Sequence, residues 1–212
     1  MKNIRITLAF LALFFLAFQW TGCIVQGDYY NTQPQPTNYY THLFQEDFFD
    51  DSRSWSFDSP SDSVYSFVKE GYYKFVDYSK TGGYNIAAVG TGANVNQDFL
   101  VETRMKSNNP MALIFGASPS SFGYSFYIDP AGYVAVYKEG LQAQIIVNWV
   151  YSDAIKTGWN DVALEQVGDY WFGYVNGKKV FQTPARGLAG NQMGYMVFPN
   201  TIGYADFLSI KW

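Results

Sequence analysis

Asn160-Asp161-Val162-Ala163-Leu164-Glu165-Gln166-Val167-Gly168-Asp169-Tyr170-Trp171-Phe172-Gly173-Tyr174-Val175-Asn176-Gly177-Lys178-Lys179-Val180 is the stretch that decides the fold. Asn176-Gly177 stands between two apolar runs. Asn-Gly suits a type I′ turn, whose two central residues both need positive φ. Val167-Gly168-Asp169-Tyr170 reads as a second tight turn upstream. Two successive hairpins make three antiparallel strands, 160–167, 169–176 and 178–182. In the middle strand Tyr170, Phe172 and Tyr174 share one face; Trp171, Gly173 and Val175 share the other.

The same signals recur outward from this stretch. Short apolar runs bounded by Gly, Pro, Asn, Asp and Ser predict further strands at 72–78, 84–89, 98–106, 111–117, 123–128, 133–138, 144–151, 194–198 and 203–211. Asp129-Pro130-Ala131-Gly132 places Pro and Gly in turn positions between two of them. In Tyr133-Val134-Ala135-Val136-Tyr137 the valines take one face and the tyrosines the other. From Phe122 to Ile128, residues 122, 124, 126 and 128 are expected to form the apolar face. No helical stripe follows residue 22, beyond one turn at 153–156. No internal repeat suggests a propeller or β-helix. The chain reads as all-β, with two antiparallel sheets packed as a sandwich over residues 43–212.

Composition narrows the function classes. The 212 residues carry 14 Lys plus Arg against 18 Asp plus Glu, a net charge of −4, with 20% aromatics. Such a chain is too apolar to be disordered. It also lacks the basic excess that nucleic-acid binding needs. One Cys excludes a disulfide framework and a multi-Cys zinc site, and one His excludes poly-His metal sites.

The N-terminus gives an address. Met1-Lys2-Asn3-Ile4-Arg5 precedes an apolar run from Ile6 to Phe18. That run is shorter than the roughly 20 residues a spanning helix needs. A basic start, a short apolar core and small residues after it describe a secretory signal peptide over 1–22. Trp20-Thr21-Gly22-Cys23 resembles the lipobox of bacterial lipoproteins, with Trp20 in place of the usual aliphatic residue. The resemblance implies cleavage before Cys23, acylation of Cys23 and anchoring in the cell envelope. Ile24, rather than Asp, after the Cys implies the outer membrane. Residues 23–42 form a tether. Gln33-Pro34-Gln35-Pro36 favours extended backbone, and for the tyrosine pairs Tyr29-Tyr30 and Tyr39-Tyr40 two readings stay open, the membrane interface or docking on the domain. His42, at the tether's end, reads as solvated.

The order of strands resembles the concanavalin A-like jelly-roll sandwich, the lectin, glucanase and laminin-G-like group. Glu46-Asp47-Phe48 with Trp55 is similar to that group's acidic-Phe start. Glu70-Gly71-Tyr72-Tyr73, Asp98-Phe99-Leu100-Val101-Glu102, Gly158-Trp159-Asn160 with Val175-Asn176-Gly177, Gly194-Tyr195-Met196-Val197 and Ala205-Asp206-Phe207-Leu208-Ser209-Ile210 resemble later strands. The resemblance covers about 43–212 and speaks to fold more than function. It implies a structural Ca²⁺, for which Glu46, Asp47, Asp50, neighbouring Asp51, and Asp206 offer hard oxygen ligands; no other cofactor is required. It also implies that some members are hydrolases. Their single-strand acidic motif is absent here, so no catalytic residue is named, though a cross-strand pair such as Glu102 with Glu165 stays open.

Sugars stack on aromatic faces beside amides and carboxylates. Tyr170, Phe172 and Tyr174 offer one such platform, Tyr133 and Tyr137 another, and Trp149 and Tyr151 a third. The sequence therefore points to a lipid-anchored, non-catalytic envelope module that binds carbohydrate. Two other classes stay open: a glycoside hydrolase of this fold, and a structural or adhesion lipoprotein that binds an envelope protein.

Overall fold

The computed structural model describes residues 40–80 and 82–212. The expected signal peptide, Cys23 and the expected tether up to Tyr39 lie outside the described residues. Fifteen strands run in order: β1 (Leu43–Glu46), β2 (Phe57–Ser59), β3 (Val64–Lys69), β4 (Tyr72–Asp77), β5 (Asn85–Gly90), β6 (Phe99–Ser107), β7 (Met111–Ala117), β8 (Tyr124–Asp129), β9 (Tyr133–Lys138), β10 (Gln144–Tyr151), β11 (Asn160–Val167), β12 (Tyr170–Val175), β13 (Lys178–Pro184), β14 (Gln192–Val197) and β15 (Thr201–Lys211). One turn of 3-10 helix, Pro60–Asp62, precedes β3.

The strands form two antiparallel sheets packed as a jelly-roll sandwich. The larger has the order β13-β12-β11-β6-β15-β4-β3-β2, with β1 also paired to β15; the smaller has the order β10-β9-β8-β7-β14-β5. Alternation along each strand builds the core between them. In β6, Phe99, Val101 and Met105 point inward and are buried, while Leu100, Glu102, Arg104 and Lys106 point out. In β12, Trp171 and Val175 are fully buried. Each large side chain taken from water contributes about 1.5–3 kcal/mol. Gly173, between them, exists for packing: the Phe181 ring occupies the space a Cβ would fill.

The expected turns form. Asn176 and Gly177 have φ of 50° and 77°, as a type I′ turn requires. Gly132 donates its N–H to Asp129 O at 2.9 Å and closes the β8–β9 hairpin.

Three short strands escaped the sequence reading. β1 carries Glu46 on its buried face, which breaks the apolar alternation. β2 is three residues long with Asp58 in the middle. β3 hides its alternation because its inward set, Val64, Ser66 and Val68, is less apolar than its outward Tyr65 and Phe67. Phe122 also departs from expectation. It is half exposed and does not share the core face of Tyr124, Phe126 and Ile128, because Gly123 at φ 71° turns the chain before β8 begins.

The chain docks on the domain before β1. Thr41 and His42 both donate N–H to Trp212 O at 3.0 Å. His42 is exposed, as expected, yet its ring stacks on Trp212 with centroids 5.4 Å apart. Tyr40 donates its hydroxyl to Glu165 Oε1 at 3.3 Å, so of the two readings of the tyrosine pairs, docking holds for Tyr40.

At the opposite margin of the smaller sheet lies β10. Its pairing with β9 shifts register between Ile145 and Val147 and again between Val147 and Val150.

Candidate functional site

The outer face of the six-stranded sheet carries a polar group set among rings. In β8, Tyr124, Phe126 and Ile128 fill the core, so Ser125 and Tyr127 face outward. In β9, Val134 and Val136 fill the core and Tyr133, Ala135 and Tyr137 face outward. Register places Tyr127 opposite Ala135 and Ser125 opposite Tyr137. Small or flexible side chains, Ala112, Ile114, Ala135 and Met196, floor this face and are fully covered. Their cover is aromatic. Ring centroids run Phe122 to Tyr84 at 6.0 Å, Tyr84 to Phe198 at 6.3 Å, Phe198 to Tyr127 at 5.6 Å, Tyr127 to Trp149 at 5.6 Å and Tyr127 to Tyr137 at 5.3 Å. Trp149 remains 39% exposed, leaving much of the indole accessible to a ligand.

Glu139 sits beside Tyr127, the ring from which this arc branches to Phe198, Trp149 and Tyr137. Its side chain is only 5% exposed. Oε1 accepts the Tyr127 hydroxyl at 2.7 Å and also a short bond from the Ser125 hydroxyl. Among the described residues no Lys, Arg or His makes an ion pair with it. Burial, with the Glu139 charge beside it, pushes the Tyr127 hydroxyl well above the ordinary tyrosine value; burial and the same charge raise Tyr84. Both phenols therefore stay protonated as donors. A carboxylate held by two hydroxyls and flanked by rings offers what a sugar needs: an acceptor for hydroxyl groups and apolar faces for its C–H surface.

The seven aromatic residues named from sequence do not form one site. Tyr137 and Trp149 belong to this arc. Tyr133 and Tyr151 pack edge to face at 5.6 Å on the neighbouring end of the same strands. Tyr170, Phe172 and Tyr174 lie instead on the outer face of the nine-stranded sheet, on the other side of the sandwich. Sequence reading missed Tyr84, Ser125, Tyr127, Glu139 and Phe198. Alternation against Phe126 was enough to turn Ser125 and Tyr127 outward, but Tyr84 and Phe198, expected inside strands 84–89 and 194–198, lie one residue outside β5 and β14, where alternation does not set the face.

Glu102 and Glu165 are neighbours on the outer face of the nine-stranded sheet. Register puts Glu102 opposite Ala163 and Glu165 opposite Leu100, which makes them a diagonal pair. Glu102 is tied to Lys211 at 2.7 Å. Glu165 is 8% exposed and held by the Tyr40 hydroxyl. Burial raises its carboxyl above the ordinary value; the Tyr40 and Tyr174 hydroxyls pull it down, and the charges of Asp98 and Glu102 push it up.

The carboxylates expected to hold calcium are engaged elsewhere. Glu46 accepts Phe48 N–H at 3.0 Å, Trp55 Nε1–H at 2.9 Å and the Arg53 guanidinium at 3.2 Å. Asp47, Asp50 and Asp51 each accept backbone N–H groups of their own loop. Asp206 faces Arg104 at 3.5 Å. Among the described residues no three acidic, His or Cys side chains gather as a metal cage. Glu46, Asp47, Asp50 and Asp206 thus do not fit the ion: an arginine already neutralises the one buried carboxylate of the set. What Glu46 does instead is hold Phe48 at φ 53°, so that its ring enters the core beside Trp55 and Tyr73.

A small cleft lined by Met105, Lys106, Ile128, Pro130, Lys156 and Asn160 has a volume of about 10 Å³, room for a water and not for a sugar ring.

No family model matches the chain, and no curated protein does either. Solved structures share its fold. Carbohydrate-binding module CBM66 from Bacillus subtilis is similar with TM-score 0.53 and 16% identity, covering 66% of this chain and 86% of that one. The CBM2 module of evolved Dit from Lactobacillus casei BL23 phage J-1 has TM-score 0.54 and 10% identity, covering 80% and 94%. A native glycosidic hydrolase has TM-score 0.51 and 15% identity, covering 80% and 95%.

Proposed function

We propose that this chain is a carbohydrate-binding module whose binding face is the outer face of the six-stranded sheet. The observation that carries the reading is Glu139, a buried carboxylate with no cationic partner among the described residues, held by Tyr127 within an aromatic arc that leaves Trp149 open. A pyranose ring packs on the Trp149 indole. Its hydroxyls donate to Glu139 and accept from Ser125 or Tyr127 as those hydroxyls exchange partners. The sugar-binding modules that share the fold support the same class. The module acts by binding, without turnover. It is carried on the envelope through lipidated Cys23, at the outer membrane.

A glycan-array screen of the chain from residue 24 onward tests the binding. Reproducible hits lost on Trp149→Ala and on Glu139→Gln, with the melting curve unchanged, support it. Silence across the array, or hits that both variants keep, overturns it. Metabolic labelling with a fatty acid tests the anchor: Cys23→Ser must abolish incorporation.

A second reading, a hydrolase, draws on the Glu102–Glu165 diagonal. The Cα atoms of diagonal neighbours stand about 7–8 Å apart, close enough for two carboxyl groups to adopt the roughly 6.5–9.5 Å separation of an inverting pair. Hydrolysis of an array hit, lost on Glu165→Gln, would establish it.

A further inference from the structure

One rung of the nine-stranded sheet alternates rings and cations across five strands. On β4, β15 and β6, Lys74, Tyr204 and Lys106 are direct register partners. On β3, Phe67 stands opposite Lys74. Trp159 precedes Asn160, which pairs with Met105, and so falls beside Lys106 at the entry to β11. The row therefore reads Phe67, Lys74, Tyr204, Lys106, Trp159. Lys106 Nζ lies 4.6 Å from the Trp159 centroid and 4.7 Å from that of Tyr204. Lys74 Nζ lies 5.5 Å from both Tyr204 and Phe67. All five side chains are half-buried on an outward face.

The cations on this rung differ from their neighbours. The neighbouring cations have carboxylates: Arg104 has Asp161 and Asp206, Lys211 has Glu102, and Lys69 has Glu70. Lys74 and Lys106 make no ion pair among the described residues. In a chain of net charge −4 this is a local positive line. Rings on either side hold the two ammonium groups in place two strand spacings apart, roughly 9.5 Å.

We propose that this rung is an interaction surface for an anionic polysaccharide, distinct from the face proposed for sugar binding above. The ligand lies across the strands, and its carboxylate or sulfate groups on alternate residues meet Lys106 and Lys74. The sugar C–H surface packs on the exposed parts of Trp159, Tyr204 and Phe67. Two cations are too few for the lipid-surface recognition that uses about 4–8 basic residues. They are also too few for a nucleic acid, whose affinity comes from many neutralised phosphates. A flat row of rings between charges matches a linear sugar chain.

The test is affinity electrophoresis of the intact chain in gels containing dextran sulfate, with unsulfated dextran as the neutral counterpart and polygalacturonate as the carboxylated one. Retardation by either anionic polymer and not by dextran is expected. The double variant Lys74→Gln, Lys106→Gln should weaken it roughly tenfold and flatten its salt dependence. Glutamine leaves the fold in place, which the melting curve checks. The control pair Lys138→Gln, Lys178→Gln and the single variant Trp149→Ala should leave retardation unchanged. Absence of retardation, equal losses in the test and control pairs, or binding to anionic phospholipid vesicles in preference to both polymers would overturn the proposal. Because Trp149→Ala should abolish only the array hits, failure of one face is distinguishable from failure of the other.

Discussion

Asn176 donates its side-chain amide to Asn160 Oδ1 across 2.8 Å, and through that bond the β12–β13 turn is fastened to the strand that opens the three-stranded unit. The same amide reaches Ala154 O at 2.7 Å, and Asn176 Oδ1 accepts from Asp161 N at 3.1 Å. Asn160 in turn donates to Lys156 O and Gly158 O and accepts from Lys156 N. Asn176→Ala should cost about 2–3 kcal/mol, from the left-handed backbone and the orphaned acceptors together. Asn176→Gly removes only the hydrogen bonds and should cost less. Urea denaturation reads the difference; equal losses would show that the backbone conformation contributes nothing.

Glu46 is a structural acceptor. Glu46→Ala would leave the Trp55 indole N–H and the Phe48 N–H without partners in a buried setting. The expected loss is about 2–3 kcal/mol. Chelation by EDTA should leave the wild-type melting midpoint where it is. A midpoint that falls with EDTA and recovers with calcium would show that these carboxylates rearrange around an ion.

Glu165 predicts a pH signature. Burial first, then Asp98 and Glu102, raise its carboxyl, so the folded chain holds this proton more tightly than the unfolded chain does. Its contribution to stability is complete below the unfolded value, about 4.3, and is lost as pH rises through the folded value. Glu165→Gln should therefore melt higher than wild type above that window, with the difference closing below it. Parallel melting profiles across the range would refute the assignment.

The Thr201 hydroxyl is buried with no hydrogen-bond partner among the described residues. Thr201→Val keeps the shape and removes the orphan. Stability should rise by about 1 kcal/mol, measured by urea denaturation. A loss of similar size would mean the hydroxyl is satisfied by bound water.

The twelve strands legible in the sequence are apolar runs between turn residues, and several of them alternate with inward residues more apolar than outward ones, as in Val134 and Val136 against Tyr133 and Tyr137. β3 failed that test because its outward Tyr65 and Phe67 belong to an aromatic face of their own, with rings stacked 6.3 Å apart. Only two residues of the candidate site were legible on the same ground, Tyr137 and Trp149. Glu139 was not, since a lone glutamate after a lysine at a strand's end looks solvated. Only the pairing that sets Tyr137 opposite Ser125, and so Glu139 diagonal to it, reveals it. The metal expectation rested on the same kind of signal: a cluster of Asp and Glu in sequence does not say whether each carboxylate serves its own loop, as Asp51 does for Trp55 N and Ser56 N.

The two register shifts in β10 bear on how the molecule behaves when crowded. A long edge strand exposing Ile145, Val150 and Tyr151 would ordinarily invite a second copy to add its own strand. Here the ladder groups fall out of step twice within eight residues, and Asn148 Oδ1 already takes the Trp149 N–H at 2.9 Å. An incoming edge finds no regular row to zip against. The irregularity thus guards against fibril-like stacking while it leaves the indole of Trp149 on a free rim.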